Sequence, residues 1–212
     1  IEEHISCEGA VISKAQYEKM YNQSIQNPEK FWSEQAQKYL SWLTKWDSVL
    51  TGNFTKQDVR WFSGATLNVS SNCIDRHLPE RANQAAIIWE GDSPFESKTL
   101  TYQELYEQVC KAANGLRSLD VKKGDRVCIY MPMIPEAAIT MLACARIGAI
   151  HSVVFAGFSP ESLKNRIQDA KCSIVITADA NLRGSKIIPL KKNVDEIIDA
   201  CPSVKNVVVV KY

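Results

Sequence analysis

Basic residues gather in one short segment of a chain that is otherwise electrically balanced. Arg183, Lys186, Lys191 and Lys192 fall within ten residues, whereas the chain as a whole has 25 Lys and Arg against 24 Asp and Glu. An arginine binds two phosphate oxygens through its planar guanidinium, and a lysine adds a compact charge. The segment Arg183-Gly184-Ser185-Lys186 is therefore a candidate phosphate-binding site. The alternative that stays open is a solvated basic surface.

A second candidate is the segment Phe155-Ala156-Gly157-Phe158-Ser159. It follows an apolar run that we predict to be a strand, and it precedes a helix that Ser159 would cap, with Pro160 in the first turn. The free N–H groups and the dipole of a helix N-terminus attract anions. Phe155 and Gly157 are therefore candidate ligand contacts. The alternative left open is an ordinary strand-to-helix turn.

No self-contained catalytic motif accompanies these two segments. The patterns G-x-S-x-G, Walker A, H-E-x-x-H and G-x-G-x-x-G do not occur in the sequence, which argues against the enzyme classes that carry them. The seven cysteines are widely spaced without a C-x-x-C pair, so we predict buried thiols such as Cys110, Cys128 and Cys144. The histidines are assigned structural roles. We predict no catalytic residue and no metal site in this chain.

The composition restricts the class of protein and its partners. An apolar share of 45% can supply a core, and a formal net charge of +1 argues against binding nucleic acid or an anionic membrane. No apolar run approaches the roughly 20 residues needed to span a bilayer. The first residues do not resemble a signal peptide, and the three N-x-S/T sequons are interpreted as chance matches. We therefore expect a soluble, cytoplasmic protein.

The elements that must position the candidate residues change in character along the chain. Four of the five tryptophans lie within the first 61 residues, where we predict helices over 14–25 and 29–38 and then an aromatic, irregular segment. A further helix is predicted over 67–78. We accordingly divide the chain into an aromatic-rich, mainly helical extension, residues 1–80, and an α/β region, residues 81–212.

From residue 85 onwards, short apolar runs alternate with helical patterns, as in βαβ units. We predict a hairpin over 86–89 and 99–101, strands over 127–130, 151–155, 173–177 and 207–210, and helices starting near 102, 136, 160 and 192. The fold class is α/β, a mostly parallel sheet with flanking helices. In such a sheet, ligands bind beyond the carboxyl ends of the strands, where both candidate segments lie.

Several segments together resemble a known family. They are Trp61-Phe62 with Leu67-Asn68, Asn72-Cys73-Ile74-Asp75-Arg76-His77-Leu78, Leu100-Thr101-Tyr102-Gln103-Glu104-Leu105, Lys123-Gly124-Asp125-Arg126-Val127 and Val154-Phe155-Ala156-Gly157-Phe158-Ser159. This set resembles the acetyl-CoA synthetases, which are AMP-forming acetate–CoA ligases of the adenylate-forming superfamily. The third and fourth segments are general to that superfamily, and the others are specific to the short-chain acyl-CoA group. The resemblance covers nearly the whole chain and implies the N-terminal third of such an enzyme.

The resemblance implies a two-step reaction on small molecules. Acetate attacks the α-phosphate of Mg-ATP to give acetyl-AMP and pyrophosphate, and the thiol of coenzyme A then displaces AMP. In that family the basic loop holds the 3′-phosphate end of coenzyme A, which carries over to Arg183, Gly184, Ser185 and Lys186, and the turn from Phe155 to Gly157 lies along the pantetheine path. The family usually has an arginine where this chain has Lys186, so a bidentate contact becomes a point charge.

The resemblance also implies that the sites for ATP, Mg²⁺ and acetate lie beyond Tyr212, so we expect residues 1–212 to be inactive alone. Two other functions stay open. One is a fragment of a propionate–CoA ligase, which shares these motifs. The other is a non-catalytic module that binds coenzyme A or another phosphate-bearing partner through the basic loop. The oligomeric state is not assigned.

Overall fold

The chain forms two compact units that join between Leu67 and Asn68. The computed structural model describes residues 11–184 and 186–212. Each unit is described below in turn, starting from the N-terminal one.

The first unit opens with two helices, α1 (Lys14–Gln26) and α2 (Pro28–Tyr39). Ser13 begins α1 with a capping box, in which its hydroxyl accepts from the N–H of Gln16 and the Gln16 side chain accepts from the N–H of Ser13. Pro28 stands in the first turn of α2, where its missing N–H costs nothing. Both predicted helices are confirmed.

The aromatic segment after α2 differs from the irregular structure predicted for it. It contains an antiparallel hairpin of β1 (Ser48–Thr51) and β2 (Arg60–Ser63). Leu50 lies opposite Trp61, and such cross-strand pairs stabilise short strands. The prediction was wrong because four residues per strand are too few to display an alternating pattern. The rings of Trp42, Trp46 and Phe62 pack with centroids 5.0 to 5.4 Å apart.

The second unit opens with three short helical turns in place of the single helix predicted over 67–78. They are α3 (Val69–Cys73), a 3₁₀ turn (Asp75–His77) and α4 (Leu78–Arg81). The prediction was wrong because Ile74 leaves the helical region, with φ −124° and ψ −67°, which ends α3. Pro79 stands in the first turn of α4, where its missing N–H is tolerated.

A hairpin of β3 (Ala85–Glu90) and β4 (Ser97–Thr101) follows, and it leads directly into α5 (Tyr102–Ser118). The hydroxyl of Thr101 accepts from the N–H of Glu104, and the Glu104 carboxylate accepts from the N–H of Thr101 at 2.8 Å. The hydrogen bonds that the carboxylate accepts from the Thr101 N–H and from the Thr101 hydroxyl lower the pKa of Glu104. The hairpin and the amphipathic helix are both confirmed.

The rest of the chain alternates strands and helices. In order these are β5 (Arg126–Tyr130), α6 (Pro135–Ile147), β6 (Ile150–Val153), α7 (Pro160–Ala170), β7 (Ile174–Ala178), β8 (Asn181–Arg183), β9 (Lys186–Ile188), α8 (Leu190–Ile197) with a 3₁₀ turn (Ile198–Ala200), and β10 (Asn206–Val210). A parallel sheet has the order β10-β7-β5-β6. The predicted α/β fold class is confirmed.

The four-stranded parallel sheet is covered on both faces, as its apolar strands require. One face buries Val127 and Ile129 of β5 together with residues of α5 and α6. The opposite face buries Cys128 and Tyr130 of the same strand with residues of α7 and α8. Successive residues of β5 therefore contribute to two separate cores.

The six strands predicted for the second part were too few. Among the described residues from 81 onwards there are eight strands. The additional strands include β8 and β9, which have three residues each and form an antiparallel hairpin where a loop was predicted. Three residues show no alternation that could be recognised in the sequence. Within the described ranges, no helix combines the length and apolar character needed to cross a bilayer.

The end of α6 is tied to the start of the second unit by a partly buried ion pair. Arg146 donates to both carboxylate oxygens of Asp75, with Nη1 3.1 Å from Oδ1, and the two side chains are 20% and 31% exposed. Asn68 donates from Nδ2 to the carbonyls of Ala145 and Arg146, 3.1 Å away in each case. The 68–77 segment is thus held on α6 by charge and by hydrogen bonds.

We expect Asp75→Asn to lower the free energy of unfolding by about 1 to 2 kcal/mol, because it leaves the Arg146 guanidinium only partly solvated and unpaired. The matched control is Asp120→Asn, whose pair with Lys122 is 75% and 73% exposed, and which should change stability by less than about 0.5 kcal/mol. Urea unfolding followed by circular dichroism measures both. Equal unfolding midpoints for the two variants would contradict this.

Candidate functional site

A cleft opens at the carboxyl edge of the parallel sheet because consecutive connections leave it towards opposite faces. The chain leaves β5 and enters α6, which belongs to the core on one face. It leaves β6 and enters α7, whose Leu163 and Ile167 belong to the core on the other face. The neighbours of β5 are β6 on one side and β7 on the other. This reversal of strand order creates a crevice where ligands bind in open α/β sheets.

The cleft has a volume of about 590 Å³, within the range of sites for small molecules. Its walls come from residues 89–92 of the β3–β4 hairpin, 131–134 after β5, 153–157 around the end of β6, Asn181, Leu182, Arg183 and Ile188 of the β8–β9 hairpin, and Tyr212. The side chains are mainly apolar on the walls formed after β5 and β6. Arg183 is the cationic residue of the lining, and Glu90 and Asp92 are its acidic residues.

The wall after β6 is a tight turn built around two phenylalanines. The N–H of Phe158 donates to the carbonyl of Phe155 at 3.0 Å, and the two rings meet edge to face with centroids 5.7 Å apart. A Cβ on Gly157 would lie 2.4 Å from Cε1 of Phe155, so glycine is required for this ring position. Ser159 caps α7, as predicted, by accepting from the N–H of Ser162.

The basic segment is the tip of the β8–β9 hairpin. Arg183 and Lys186 are cross-strand partners at the end of the hairpin. Gly184, directly after Arg183, has φ +59°, a left-handed conformation that glycine adopts readily. Because directly opposite residues share one face of a hairpin, the two cationic side chains extend from the same face. Both are exposed to solvent.

The four basic residues of this region have different surroundings. Lys191 pairs with Asp195 one turn further along α8. Among the residues that the structure describes, no carboxylate lies within ion-pair distance of Arg183 or Lys186. Like charges directly opposite on a hairpin are unfavourable unless an anion compensates them. Lys191 is therefore compensated by an acidic partner, whereas none of the described carboxylates compensates the charges at the hairpin tip.

The structure brings together some of the predicted site residues and leaves others apart. Phe155, Gly157 and Arg183 all line the cleft. Gly184 and Lys186 lie at the hairpin tip next to Arg183, outside the lining itself. Ser185 lies outside the described residues. Their role in binding stays a prediction.

Sequence reasoning missed the wall after β5. Met133 lies there, 88% exposed, and its carbonyl accepts a 2.7 Å hydrogen bond from Nε1 of Trp89, which ties this wall to the β3–β4 hairpin. Ligands in open α/β sheets bind beyond the carboxyl ends of the strands, which points to the loops after residues 155 and 177. The same rule also points to the loop after the strand that ends at Tyr130, and this loop forms the wall.

Tyr130 was predicted only as a strand residue, yet it contacts the candidate loop directly. Its ring is fully buried, and its hydroxyl lies 2.9 Å from the carbonyl of Phe158 and 3.3 Å from that of Ala156. Nδ2 of Asn193 donates to the same hydroxyl at 3.1 Å. Burial raises the pKa of Tyr130, and the hydrogen bond from Asn193 opposes that shift. The phenol therefore stays protonated at neutral pH.

Asp179, directly after β7, fixes the chain at the carboxyl edge. Its Oδ1 accepts from the backbone N–H of Tyr212 at 2.8 Å and from that of Ala180 at 2.9 Å. These bonds, above all the one from Tyr212, lower the pKa of the carboxyl. Its own carbonyl accepts from the N–H of Lys191 at the start of α8. Asp179 thus joins the ends of β7 and β10 to the helix that follows the hairpin.

None of the described cysteines lines this cleft. Cys128 and Cys144 are buried, as predicted, and Cys110 is half-buried. Contact with Cys172 and burial raise the pKa of Cys128, and burial raises the pKa of Cys144 to about 12. Both thiols are therefore protonated at neutral pH and act as small core residues. Within residues 11–184 and 186–212, no three His, Cys, Asp or Glu side chains lie where they could hold a metal ion.

Two family models match the chain, one in each part of the sequence. The model described as AMP-binding enzyme matches residues 74–212, and the model described as Acetyl-coenzyme A synthetase N-terminus matches residues 17–73. The chain belongs to the AMP-binding enzyme family. The family resemblance inferred from the sequence segments is thus confirmed.

Curated members of the AMP-binding family align with nearly the whole chain. The acetyl-coenzyme A synthetase of Alkalilimnicola ehrlichii is 57% identical over 204 residues, which are 96% of this chain and 32% of that protein. The acetyl-coenzyme A synthetase of Halorhodospira halophila is 58% identical over 202 residues, 95% of this chain and 31% of that protein. The chain spans about a third of the length of the curated relatives it matches.

A solved structure of the same family supports the fold described above. The acetoacetyl-CoA synthetase from Streptomyces lividans superimposes with a TM-score of 0.84 at 27% sequence identity, covering 99% of this chain and 31% of that one. The cleft therefore belongs to a fold that this longer protein shares.

We expect Asp179→Asn to lower stability in a manner that depends on pH. The folded carboxyl has a pKa below its ordinary value of 3.8, so the unfolded chain takes up the proton first and protonation favours unfolding. The stabilisation is complete above that value and is lost as the pH falls through the lower folded value.

Urea midpoints of the wild type and Asp179→Asn, compared between about pH 6 and pH 3, measure this effect. The difference between the two proteins should be largest at the upper pH and should shrink as the pH falls. Asp169→Asn, which removes an exposed carboxylate from α7, is the control. If the difference stayed constant across this pH range, Asp179 would stabilise the fold through the packing of its side chain and not through its charge.

Proposed function

We propose that this chain is the N-terminal part of an AMP-forming acetate–CoA ligase, in which the cleft at the carboxyl edge of the sheet holds part of coenzyme A. The whole enzyme would convert acetate, ATP and coenzyme A to acetyl-CoA, AMP and pyrophosphate through acetyl-AMP. Support comes from the acetyl-coenzyme A synthetases aligned above and from the N-terminal family model. The propionate alternative is not favoured by these relatives.

The observation that carries the proposal is the pair of uncompensated cations at the mouth of an apolar cleft. Arg183 and Lys186 lie opposite each other at the hairpin tip, and Arg183 also lines the cleft. A phosphate between them would relieve their repulsion, with two hydrogen bonds from the guanidinium and one from the ammonium. A nucleotide bearing a phosphomonoester, such as the 3′-phosphate of coenzyme A, fits this chemistry.

The uncharged part of the ligand would follow the apolar walls away from the hairpin. Phe155, 59% exposed, and Met133, 88% exposed, present large apolar surfaces to the cleft. A pantetheine arm has the methylene and amide groups to cover such surfaces. Glu90 and Asp92 belong to the wall from the β3–β4 hairpin and Arg183 to the wall from the β8–β9 hairpin, so the two signs of charge come from different walls. This polarity would orient the phosphate end of the ligand towards Arg183.

We place the adenylation step outside this part of the enzyme. Among the described residues, no three His, Cys, Asp or Glu side chains lie where they could hold a metal ion, and we assign Mg²⁺ to the ATP site elsewhere in the enzyme. The contribution of this chain is to position coenzyme A, which lowers the entropic cost of bringing its thiol to the acyl group. A cytoplasmic location is also proposed, supported by the free cysteines among the described residues.

The test uses the full-length enzyme to which this chain belongs, with separate assays for its two half-reactions. We expect Arg183→Ala to raise KM for coenzyme A roughly 10- to 100-fold, because a charge-assisted bidentate contact is lost. KM for ATP and acetate-dependent pyrophosphate exchange should stay within about twofold of the wild type. The matched control is Arg117→Ala, which removes an exposed arginine from the last turn of α5.

Two results would count against the proposal in different ways. A wild-type enzyme that forms neither acetyl-AMP nor acetyl-CoA would overturn the assigned reaction and favour the non-catalytic binding module. An active enzyme in which Arg183→Ala affects coenzyme A and ATP equally would overturn the placement of coenzyme A at the hairpin. Arg117→Ala should leave both KM values unchanged.

Gly157→Ala tests the apolar path separately from the charges. The added Cβ would displace the Phe155 ring, which is free to rotate outwards because it is largely exposed. We therefore expect a several-fold rise in KM for coenzyme A, roughly three- to tenfold, with little loss of stability. Gly115→Ala is the control, since a Cβ there meets nothing within 4 Å. An unchanged KM would show that coenzyme A does not pass along this turn.

A further inference from the structure

One buried hydroxyl connects three elements next to the proposed coenzyme A site. Tyr130, the last residue of β5, contacts the carbonyls of Phe158 and Ala156 in the turn after β6. It also receives a hydrogen bond from Asn193 of α8. The phenol thus bridges the central strand, the Phe155–Phe158 turn and the helix that follows the basic hairpin.

The helix α8 is positioned to hold the hairpin as well. It begins at Leu190, two residues after β9 ends at Ile188, and the N–H of Lys191 donates to the carbonyl of Asp179 just before β8. The base of the hairpin is therefore fixed to the first turn of α8. A hydrogen bond to Asn193 in that helix acts on the hairpin through a few residues of chain.

The hydrogen-bond geometry uses the full capacity of the hydroxyl. A tyrosine O–H donates one proton and accepts through its oxygen. Here the donor is directed at two carbonyls, with Phe158 closer at 2.9 Å, and the acceptor receives Nδ2 of Asn193 at 3.1 Å. The ring packs in the core shared with α7 and α8, where a phenylalanine would fill almost the same volume. The hydroxyl is therefore what distinguishes tyrosine at this position.

We propose that Tyr130 is a positioning residue for coenzyme A: its hydroxyl sets the spacing between the phenylalanine turn, which lines the pantetheine path, and the basic hairpin, which holds the phosphate. This inference rests on the proposed function. Tyr130 itself is fully buried and touches no ligand. It acts by keeping two binding segments at a fixed separation before coenzyme A arrives, which reduces the ordering cost of binding.

The first test compares Tyr130→Phe with Tyr106→Phe in the full-length enzyme. Tyr106 is half-buried on the opposite face of the sheet, against α6, so the control removes the same hydroxyl from another place in the unit. We expect Tyr130→Phe to raise KM for coenzyme A roughly five- to tenfold, because one side of the site loses its fixed position. KM for ATP and acetate-dependent pyrophosphate exchange should be unchanged, as should all parameters of Tyr106→Phe.

A second variant addresses the case in which Tyr130→Phe unfolds. In Asn193→Asp, a carboxylate replaces the amide donor and attracts the phenolic proton, so the O–H turns away from the carbonyl of Phe158. The ring of Tyr130 and its packing are retained. We expect the same selective rise in KM for coenzyme A. The double variant should be no worse than the more impaired single variant, because both break one network.

The outcomes separate this inference from the proposed function. If the wild-type enzyme shows no activity with coenzyme A, the proposed function fails. If the enzyme is active and Tyr130→Phe and Asn193→Asp keep the wild-type KM for coenzyme A, the positioning role is overturned while the function stands. A parallel loss of stability and of both half-reactions, without selectivity for coenzyme A, would also overturn it, because a purely structural residue behaves in that way.

Discussion

The burial of β5 on both faces is the constraint on which the second unit depends. Alternate side chains of this strand enter two separate cores, and each core needs its own layer of helices. The chain can supply both layers only by leaving β5 and β6 in opposite directions. The carboxyl edge therefore divides at that point, and the cleft follows from the same topology that buries the strand. The cleft and the burial of the sheet on both faces are thus two consequences of the same strand order.

Electrostatics decide which part of that edge attracts a ligand. The chain is nearly neutral, so long-range attraction contributes little and local pairing determines where charge is available. Lys191 forms an ion pair with Asp195 of the same helix, and Arg146 forms one with Asp75. The hairpin places Arg183 opposite Lys186 instead, which gives two like charges that no carboxylate of the described residues pairs with. The number of basic residues in a segment therefore overestimates the positive charge that is available to an anion, because only basic side chains without an acidic partner can bind one.

Much of this architecture could be predicted from the sequence, and the exceptions have physical reasons. Long elements such as α5 and α6 bury a face over several turns, so their residue patterns are informative. The strands of three or four residues at 48–51, 181–183 and 186–188 form because a partner strand lies beside them. The residues of such a short strand contain no signal that identifies this partner. The same applies to the site. Phe155 and Arg183 could be singled out by type and context, whereas Tyr130 could not, since its hydroxyl is satisfied by residues 26 to 63 positions away.

In the proposed arrangement, the position of that hydroxyl would allow two loops to form a defined site. Loops are the most variable parts of a fold, and a flexible nucleotide ligand already loses much conformational freedom on binding. If the protein also had to order its two walls, the combined cost would consume most of the interaction energy. In the proposed arrangement, β5 fixes the turn after β6 directly and the basic hairpin through α8. The protein then loses little conformational freedom when the ligand binds. The buried hydrogen bonds are strong enough for this because they are shielded from water and each polar group in them has a partner.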